Sequence, residues 1–425
     1  MELVGIFFVV LILLNVPIGF TIGISSLAFF FLNTNVSLIT PVQSMVASTQ
    51  SFPLLAVPFF VLAGNLMNAT GITSRLIKFS TVLTGHMRGG LAQVSVVLST
   101  LMGGISGSAV ADAAMEARIL GPEMAKRGYP KGYAAAVIAL PSLITATIPP
   151  GVGLILYGVT GGVSIGKMFV GGIIPGFIMM IILMITAGFI ATKRDYPVER
   201  ETPPSGREVW ESLKESIWAL LFPVILIVGI RFGVFTASEA GAFAVIYAFV
   251  IGKFVYKELS WQGLLETLKM TIADNGVILF IIMASGIFGY AIIYDRVPQS
   301  MATLILGISD NSTILLLIIL AFVFICGMFM EATANTLLLT PIFLPIVISL
   351  GIDPVHFGII FMTIVTMGGM TPPVGAVMYT TCSILDCPVE DYIKESMPFI
   401  LAIVIQIIIL IAFPGLVTFL PNLIF

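Results

Sequence analysis

Charge is scarce in this sequence: 10% of its 425 residues are Asp, Glu, Lys or Arg, against 58% that are hydrophobic. With a mean hydropathy of +1.11, so many apolar side chains cannot be hidden in one water-soluble core, which excludes an ordinary soluble domain. A net charge of −3 and no basic stripe give nothing to neutralise phosphates, so no nucleic acid is expected as a partner. Histidine is almost missing: His86 and His356 stand far apart in no metalloenzyme spacing, and no nucleophile with a base is visible, so an enzyme is not expected. Cys326, Cys382 and Cys387 show neither a disulfide framework nor a metal-ligand spacing. The amino-terminal stretch lacks the basic start and cleavage site of a signal peptide, and Glu2 is acidic where such a peptide is basic. The first apolar stretch, 3–32, is therefore expected to be retained, as one tilted helix or two short ones broken around Asn15 and Pro17.

What fills the space left by charge is a series of apolar runs, including 169–192, 217–232, 272–293 and 399–420, most of them near the roughly 20 residues that a helix needs to cross the hydrocarbon of a bilayer. They are too many for an anchor and predict an all-α polytopic membrane protein embedded in a lipid bilayer. The one long polar stretch, 193–215, carries Pro197, Pro203 and Pro204 and reads as a solvated linker. A shorter piece, 258–270, places Leu259, Leu264, Leu265 and Leu268 near helical spacing beside Trp261, as an amphipathic helix lying on the membrane interface would.

The two halves around that linker repeat. Pro122 and Pro345, Pro149 and Pro372, Pro150 and Pro373, and Pro175 and Pro398 are each 223 positions apart, as are Gly104 and Gly327, and Gly128 and Gly351. Basic residues orient the copies, because Lys and Arg are retained on the cytoplasmic side during insertion. The first copy holds Arg88, Arg118, Lys126, Arg127 and Lys131, whereas none occurs between Val297 and Ile393. The copies are therefore inverted, an arrangement many secondary transporters use. Lys193, Arg194, Lys253 and Lys257 fall on the cytoplasmic side in the same scheme.

Within each copy some segments cannot be simple spans. Arms at 91–101 and 110–124 flank a kink at 103–108, and arms at 314–325 and 336–350 flank a kink at 327–335. Both pairs predict re-entrant helical hairpins. A double proline then interrupts the following helix in each copy, within Thr147–Gly151 and Thr371–Gly375, giving two broken helices. Non-helical backbone at membrane depth survives only where protein or a water-filled cavity shields it, so kinks and breaks mark a site. Carbonyls before a break attract Na+ and amides after it attract carboxylates. Expected contacts to an organic anion are Ser106, Ser108, Thr147, Gly151, Glu331, Thr371 and Gly375; expected oxygen donors to Na+ are Gly104, Ser106, Thr147, Gly327, Thr333, Asn335 and Thr371. Asp112 and Glu116 are further charges in the first hairpin that Arg118 could hold in place.

At these residues the sequence resembles the large membrane subunit of tripartite ATP-independent periplasmic (TRAP) transporters. The resemblance rests on Gly-Gly-Ile-Ser-Gly-Ser-Ala at 103–109, Pro-Pro-Gly at 149–151, Met-Glu-Ala-Thr-Ala-Asn at 330–335 and Thr-Pro-Pro-Val-Gly at 371–375, and extends over essentially the whole chain. It implies an elevator-type ion-transporter architecture in the bacterial or archaeal inner membrane. Scaffold helices would occupy 1–87, 169–300 and 391–425, and a moving transport domain 88–168 and 301–390. It also implies a Na+ gradient driving import of a dicarboxylate, sugar acid or sialic acid, with a small four-helix membrane subunit and a periplasmic substrate-binding protein as partners. No additional amino-terminal bundle is seen, so the small subunit is expected to be a separate chain. A related cation-coupled organic-anion carrier working without a binding protein is the alternative.

Overall fold

The computed structural model describes residues 2–14, 16–33, 35–309 and 311–425, and among them no strand occurs. The amino-terminal part comprises α1 (Glu2–Leu13), α2 (Ile18–Leu32), α3 (Thr40–Thr49), α4 (Ala56–Asn68) and α5 (Ile72–Thr84). The first apolar stretch is thus two helices; Asn15, around which a break was expected, lies outside the described residues. Next come α6 (Gly90–Gly103) and α7 (Ala109–Lys126), then α8 (Lys131–Ala139), α9 (Ser142–Thr147) and α10 (Val152–Gly161), followed by α11 (Ile165–Gly171) and α12 (Ile173–Lys193). The middle of the chain forms α13 (Gly206–Arg231), α14 (Ala237–Val250), α15 (Trp261–Tyr294) and α16 (Val297–Leu306). The second copy is α17 (Ser312–Phe329) and α18 (Ala332–Ser349), α19 (Pro354–Gly368) and α20 (Ala376–Leu385), closed by α21 (Val389–Ala412) and α22 (Gly415–Ile424). Seven helices among the described residues are long and apolar enough to cross a membrane, or up to nine if each of two bent pairs is one span.

The repeat seen in the prolines is carried by the helices. Moving α7 by 223 positions lands it on α18 at both ends. Gly128 and Gly351, just past these helices, both take positive φ, +79° and +74°, the left-handed conformation that glycine adopts without a Cβ penalty. The Pro149–Pro150 and Pro372–Pro373 bonds are both cis.

Packing shows the inversion. The base of the first hairpin lies against the far end of α20, where a Cβ on Gly121 would stand 2.2 Å from Leu385. The base of the second lies against the far end of α10, where a Cβ on Gly161 would stand 2.5 Å from Leu344. At one end of the molecule Lys131 pairs with Asp386, 2.9 Å; at the other the Tyr157 hydroxyl donates to the Pro354 carbonyl, 2.8 Å. The hairpins therefore enter from opposite ends. The first is sunk in protein, with α6 buried along almost its whole length. The second shows α17 outward, with Leu317, Phe322, Ile325 and Phe329 exposed.

Three expectations are corrected. The piece 258–270 is not a separate interfacial helix: from Trp261 it is the first part of the 34-residue α15, because Ser260 caps it and no proline follows until Pro298. The stretch 193–215, expected as a solvated linker, is largely exposed but is not a linker throughout. Its last part is already α13, opened by a Ser205–Glu208 capping box. The rest is docked: the Glu199 and Arg200 amides donate to the Gly85 carbonyl at 2.8 and 3.0 Å, and Tyr196 packs on Tyr129 and Tyr133. Finally, the kink at 327–335 shrinks to Met330 and Glu331, since α17 runs through Gly327 to Phe329 and α18 begins at Ala332. Gly327 serves close packing: a Cβ there would stand 2.6 Å from the Val365 carbonyl.

Candidate functional site

A cavity of about 440 Å³ lies where the two hairpin tips meet. Each tip is shaped by its sequence. In the first, α6 ends at Gly103, the Ser106 amide returns to the Met102 carbonyl, 2.9 Å, and Gly107 takes φ +62°. Ser108 then caps α7 by accepting from the Ala111 amide, 3.4 Å, while the Ser106 hydroxyl donates to Asp112 Oδ1, 2.6 Å. Gly107 is needed twice over, because a Cβ there would stand 2.3 Å from the Pro150 carbonyl oxygen. The first tip is thus pressed against the first helix break. In the second tip the Asn335 amide group donates to the carbonyls of Met330, 2.8 Å, and Glu331, 3.3 Å, holding the two-residue turn. Its contact with its own break is a hydrogen bond from the Gly375 amide to the Met328 carbonyl, 3.1 Å.

Four helices begin at this cavity. Ala109 and Val110 of α7, Val152 and Gly153 of α10, Ala332 and Thr333 of α18, and Ala376 and Val377 of α20 all line it. The first amides of a helix have no intrahelical acceptor, and aligned peptide dipoles place partial positive charge there. Four such termini around one space form a concentrated anion-attracting field. Among the described residues that line it, none is Lys, Arg or His. The far wall comes from Asn65 and Asn68 of α4 and Asp274 of α15, with the Asn65 amide donating to Asp274, 3.0 Å.

Of the residues expected from sequence, Ser106, Ser108, Glu331 and Thr333 line the cavity. Gly151 and Gly375 are the N-caps of α10 and α20, immediately before lining residues. Thr147 and Thr371 are buried one turn behind, their hydroxyls donating to the carbonyls of Leu143, 3.0 Å, and Gly368, 2.8 Å. Gly104 faces Pro223 of α13, 2.9 Å from where its Cβ would be. Asn335 is wholly buried behind the second tip. Arg118 does not hold the acidic residues of the first hairpin: Glu116 accepts from Ser95, 2.6 Å, and Ser99, 2.8 Å, across the two arms. His356 is fixed by its ring nitrogen against the Leu410 carbonyl, 2.8 Å.

Two features escaped the sequence reading. Asp112 occupies in the first copy the place of Asn335 in the second, 223 positions on. Both are fully buried, and Asp112 Oδ2 and Asn335 Oδ1 each lack a hydrogen-bond partner. Laying the copies over one another at the acidic residues would have found the pair. The wall of Asn65, Asn68 and Asp274 carried no signal, since it comes from outside the repeat motifs. A larger, shallow depression of about 680 Å³ lies at the hairpin base beside Lys131 and Asp386. The starts of α8 and α21 reach it, but neither hairpin tip lines it. Its exposed ion pair holds the Asp386 carboxyl below the usual carboxylate range through the Lys131 hydrogen bond.

Comparison with known proteins adds a family and a fold. The family described as "Tripartite ATP-independent periplasmic transporter, DctM component" matches residues 5–416. The sialic acid TRAP transporter large permease protein SiaM of Vibrio cholerae is 37% identical over 97% of this chain and 96% of its own length. The 2,3-diketo-L-gulonate TRAP transporter large permease protein YiaN of Escherichia coli is 34% identical over 96% and 95%. Among solved structures, the Alcanivorax borkumensis YdaH transporter shares the fold at a TM-score of 0.61, with 16% identity, over 88% of this chain and 87% of that one.

Proposed function

The chain belongs to the large permease subunits of TRAP transporters, and from that premise we propose that it imports an organic acid with Na+ by an elevator movement of its hairpins and broken helices. It is a multi-pass inner-membrane protein, a transporter rather than an enzyme. The observation that carries the reading is the convergence of four helix N-termini and two hairpin tips on one cavity. The carboxylate sits at the helix starts, where amides and dipoles attract it without a basic side chain.

Na+ fits the oxygens behind the tips. Asp112 Oδ2 and Asn335 Oδ1 are buried without partners, and an unsatisfied buried acceptor costs about 1–3 kcal/mol. A hard cation takes carboxylate, amide and backbone carbonyl oxygens readily, so one ion beside each residue would relieve both. Ser106 and Thr147 in the first copy, and Thr333 and Thr371 in the second, are within the same segments, as are the carbonyls of Gly104 and Gly327. Ion binding that orders the tips would then complete the acid site.

Movement is supported by how the parts join. The tips are tied to the breaks by the Gly107–Pro150 and Gly375–Met328 contacts. Against α4 and α13 they meet through small residues instead: Gly64 lies against Ser106 and Gly104 against Pro223. Asn68 ends α4, and Gly71 just beyond it lies beside Glu258, close in sequence to Lys253 and Lys257. The cavity thus approaches the end that basic residues assign to the cytoplasm, an inward-facing state. The small four-helix membrane subunit and the periplasmic binding protein are proposed partners. Uptake of labelled organic acids into liposomes, with and without each partner and a Na+ gradient, tests the reading. Accumulation requiring all of them supports it; accumulation without the binding protein removes delivery, and accumulation indifferent to Na+ removes the coupling.

A further inference from the structure

We infer that Glu116, buried in the first hairpin, carries a proton at neutral pH and, as a neutral acid, positions both arms of that hairpin against the broken helix behind it. Ser95 Oγ stands 2.6 Å from Glu116 Oε2 and 3.0 Å from the Val137 carbonyl oxygen of α8, both ordinary O–H···O distances. A hydroxyl has one hydrogen to give. Val137 has the greater need of it, because a helical carbonyl takes the amide four residues on, and that residue is Pro141, which has none. The neighbouring Leu140 amide goes to the Ala136 carbonyl, 3.0 Å. With Ser95 donating to Val137, Glu116 must bring the second hydrogen. Its Oε2–H donates to Ser95 Oγ, reversing the bond that an ionised Glu116 would accept, while Oε1 still accepts from Ser99, 2.8 Å. Ser95, Ser99, Glu116 and the Val137 carbonyl are then all satisfied.

An ionised Glu116 could take the Ser95 hydrogen only by leaving the Val137 carbonyl buried without a donor. Its charge would also lie at 0% exposure without a counter-ion. The elements packed against α7 are α6, α8, α9 and α20. Neither α6 nor α9 holds a titratable residue; α8 holds Lys131 and Tyr133, and α20 holds Tyr379 and Cys382. Lys131 is engaged by Asp386, 2.9 Å. On α7 itself Asp112, one turn away, is another acid, Arg118 is exposed, and Lys126 pairs with Glu123, 2.7 Å.

The second copy gives an independent sign. At 223 positions on, Ser95, Ser99 and Glu116 become Ile318, Phe322 and Leu339, and Pro141 becomes Ile364. There α19 runs unbroken from Pro354 to Gly368, so the Ile360 carbonyl, in the place of Val137, has the Ile364 amide within its own helix. Where no proline removes the amide, the polar trio is absent, and the place of Glu116 is taken by an uncharged side chain. A neutral Glu116 also leaves Asp112 as the one acidic charge in the core of the hairpin, for the cation proposed beside it. That consequence rests on the transport reading; the protonation does not.

Infrared difference spectra of the full chain in lipid nanodiscs at neutral pH, wild type minus Glu116→Gln, test the inference without any transported acid. Glutamine keeps an acceptor for Ser99 and a donor for Ser95, and the spectrum should show the loss of a protonated-carboxyl C=O stretch that shifts on deuterium exchange. Ser99→Ala, which frees Oε1, should move the same band to higher frequency, and this assigns it even if the glutamine variant fails to fold. Denaturation gives a second readout. An unfolded glutamate has lost its proton well above its ordinary value of about 4.3, whereas the native protein keeps it. The unfolding constant of the wild type should therefore rise about tenfold, relative to that of Glu116→Gln, from about pH 6 to pH 7. A carboxyl band that neither variant removes or moves, or a ratio of unfolding constants that stays fixed over that interval, makes Glu116 an ionised group and overturns the inference.

Discussion

Gly107→Ala should disable transport without unfolding the protein, and Gly128→Ala is its built-in control. Both glycines have positive φ, +62° and +79°, so an alanine at either costs about 1 kcal/mol of backbone strain. They differ in what the new methyl meets. At Gly128 nothing lies within 4 Å. At Gly107 the methyl would stand 2.3 Å from the Pro150 carbonyl oxygen and 3.0 Å from Gly151 Cα. Carbon and oxygen settle at about 3.3–3.6 Å, and the obstacle is backbone, which cannot rotate aside as a side chain would. The first hairpin tip must therefore withdraw from the first break by about 1 Å. That separation spoils the alignment of the α7 and α10 starts on one carboxylate, and an error of about 1 Å in a positioned group is enough to lose activity by tenfold or more. The arms of the hairpin remain clamped through Glu116 by Ser95 and Ser99, so the fold survives. Uptake in liposomes, normalised to the monodisperse fraction of purified protein, should fall at least tenfold for Gly107→Ala and less than threefold for Gly128→Ala. Equal activity of the two variants would refute the claim that the tip and the break act as one unit.

Other outcomes follow from the same geometry. Asn335→Ala removes amide donors to the Met330 and Glu331 carbonyls together with the unpartnered oxygen, and should raise the Na+ concentration for half-maximal uptake several-fold; Asp112→Ala should do the same in the first copy. Replacing both Ser95 and Ser99 by alanine strips the buried Glu116 of its two donors. At about 0.6–1.7 kcal/mol for each interhelical hydrogen bond in a membrane, denaturation should show a loss of about 1–3 kcal/mol, and an unchanged midpoint would count against the clamp. With Cys326, Cys382 and Cys387 replaced, Asp274→Cys should react with a membrane-impermeant maleimide from the cytoplasmic side, and labelling only from the periplasmic side would contradict an inward-facing state.

The sequence made the repeat legible because proline and glycine punctuate backbone, and backbone geometry is what an inverted repeat duplicates. Pro149, Pro150, Pro372 and Pro373 therefore located both breaks, and Gly103 to Ser108 located the first tip. The second tip was read too long because Gly327 looked like a turn glycine, when its role is contact with the Val365 carbonyl inside a continuous helix. The same confusion of packing with punctuation affected Gly104, which faces Pro223. The docked stretch after Lys193 was read as solvated because polar composition does not reveal that Gly85 offers a free carbonyl or that Tyr129 and Tyr133 wait for Tyr196. The wall holding Asp274 was invisible for a different reason: it is brought to the cavity by tertiary packing alone.

Where the two copies differ is where symmetry would be a handicap. Ser108 caps α7 through its own side chain, whereas Glu331, in the matching place, gives α18 no side-chain cap. The first amides of α18 are left for a ligand, and the carboxyl is turned to accept from Thr333 instead. Asp112 and Asn335 differ likewise, an acid against an amide at one buried position. A cation beside Asp112 meets a carboxylate at that position, while one beside Asn335 meets an amide there and draws its counter-charge from Glu331 at the tip or from an anion in the cavity. The second site would therefore be the one coupled to the acid, and the first a structural partner filled beforehand. Sodium titrations should then separate: the organic acid should raise Na+ affinity in the Asp112→Ala variant, and by linkage Na+ should raise acid affinity by the same factor. In the Asn335→Ala variant that mutual effect should vanish. Loss of coupling in the Asp112 variant alone would reverse the assignment.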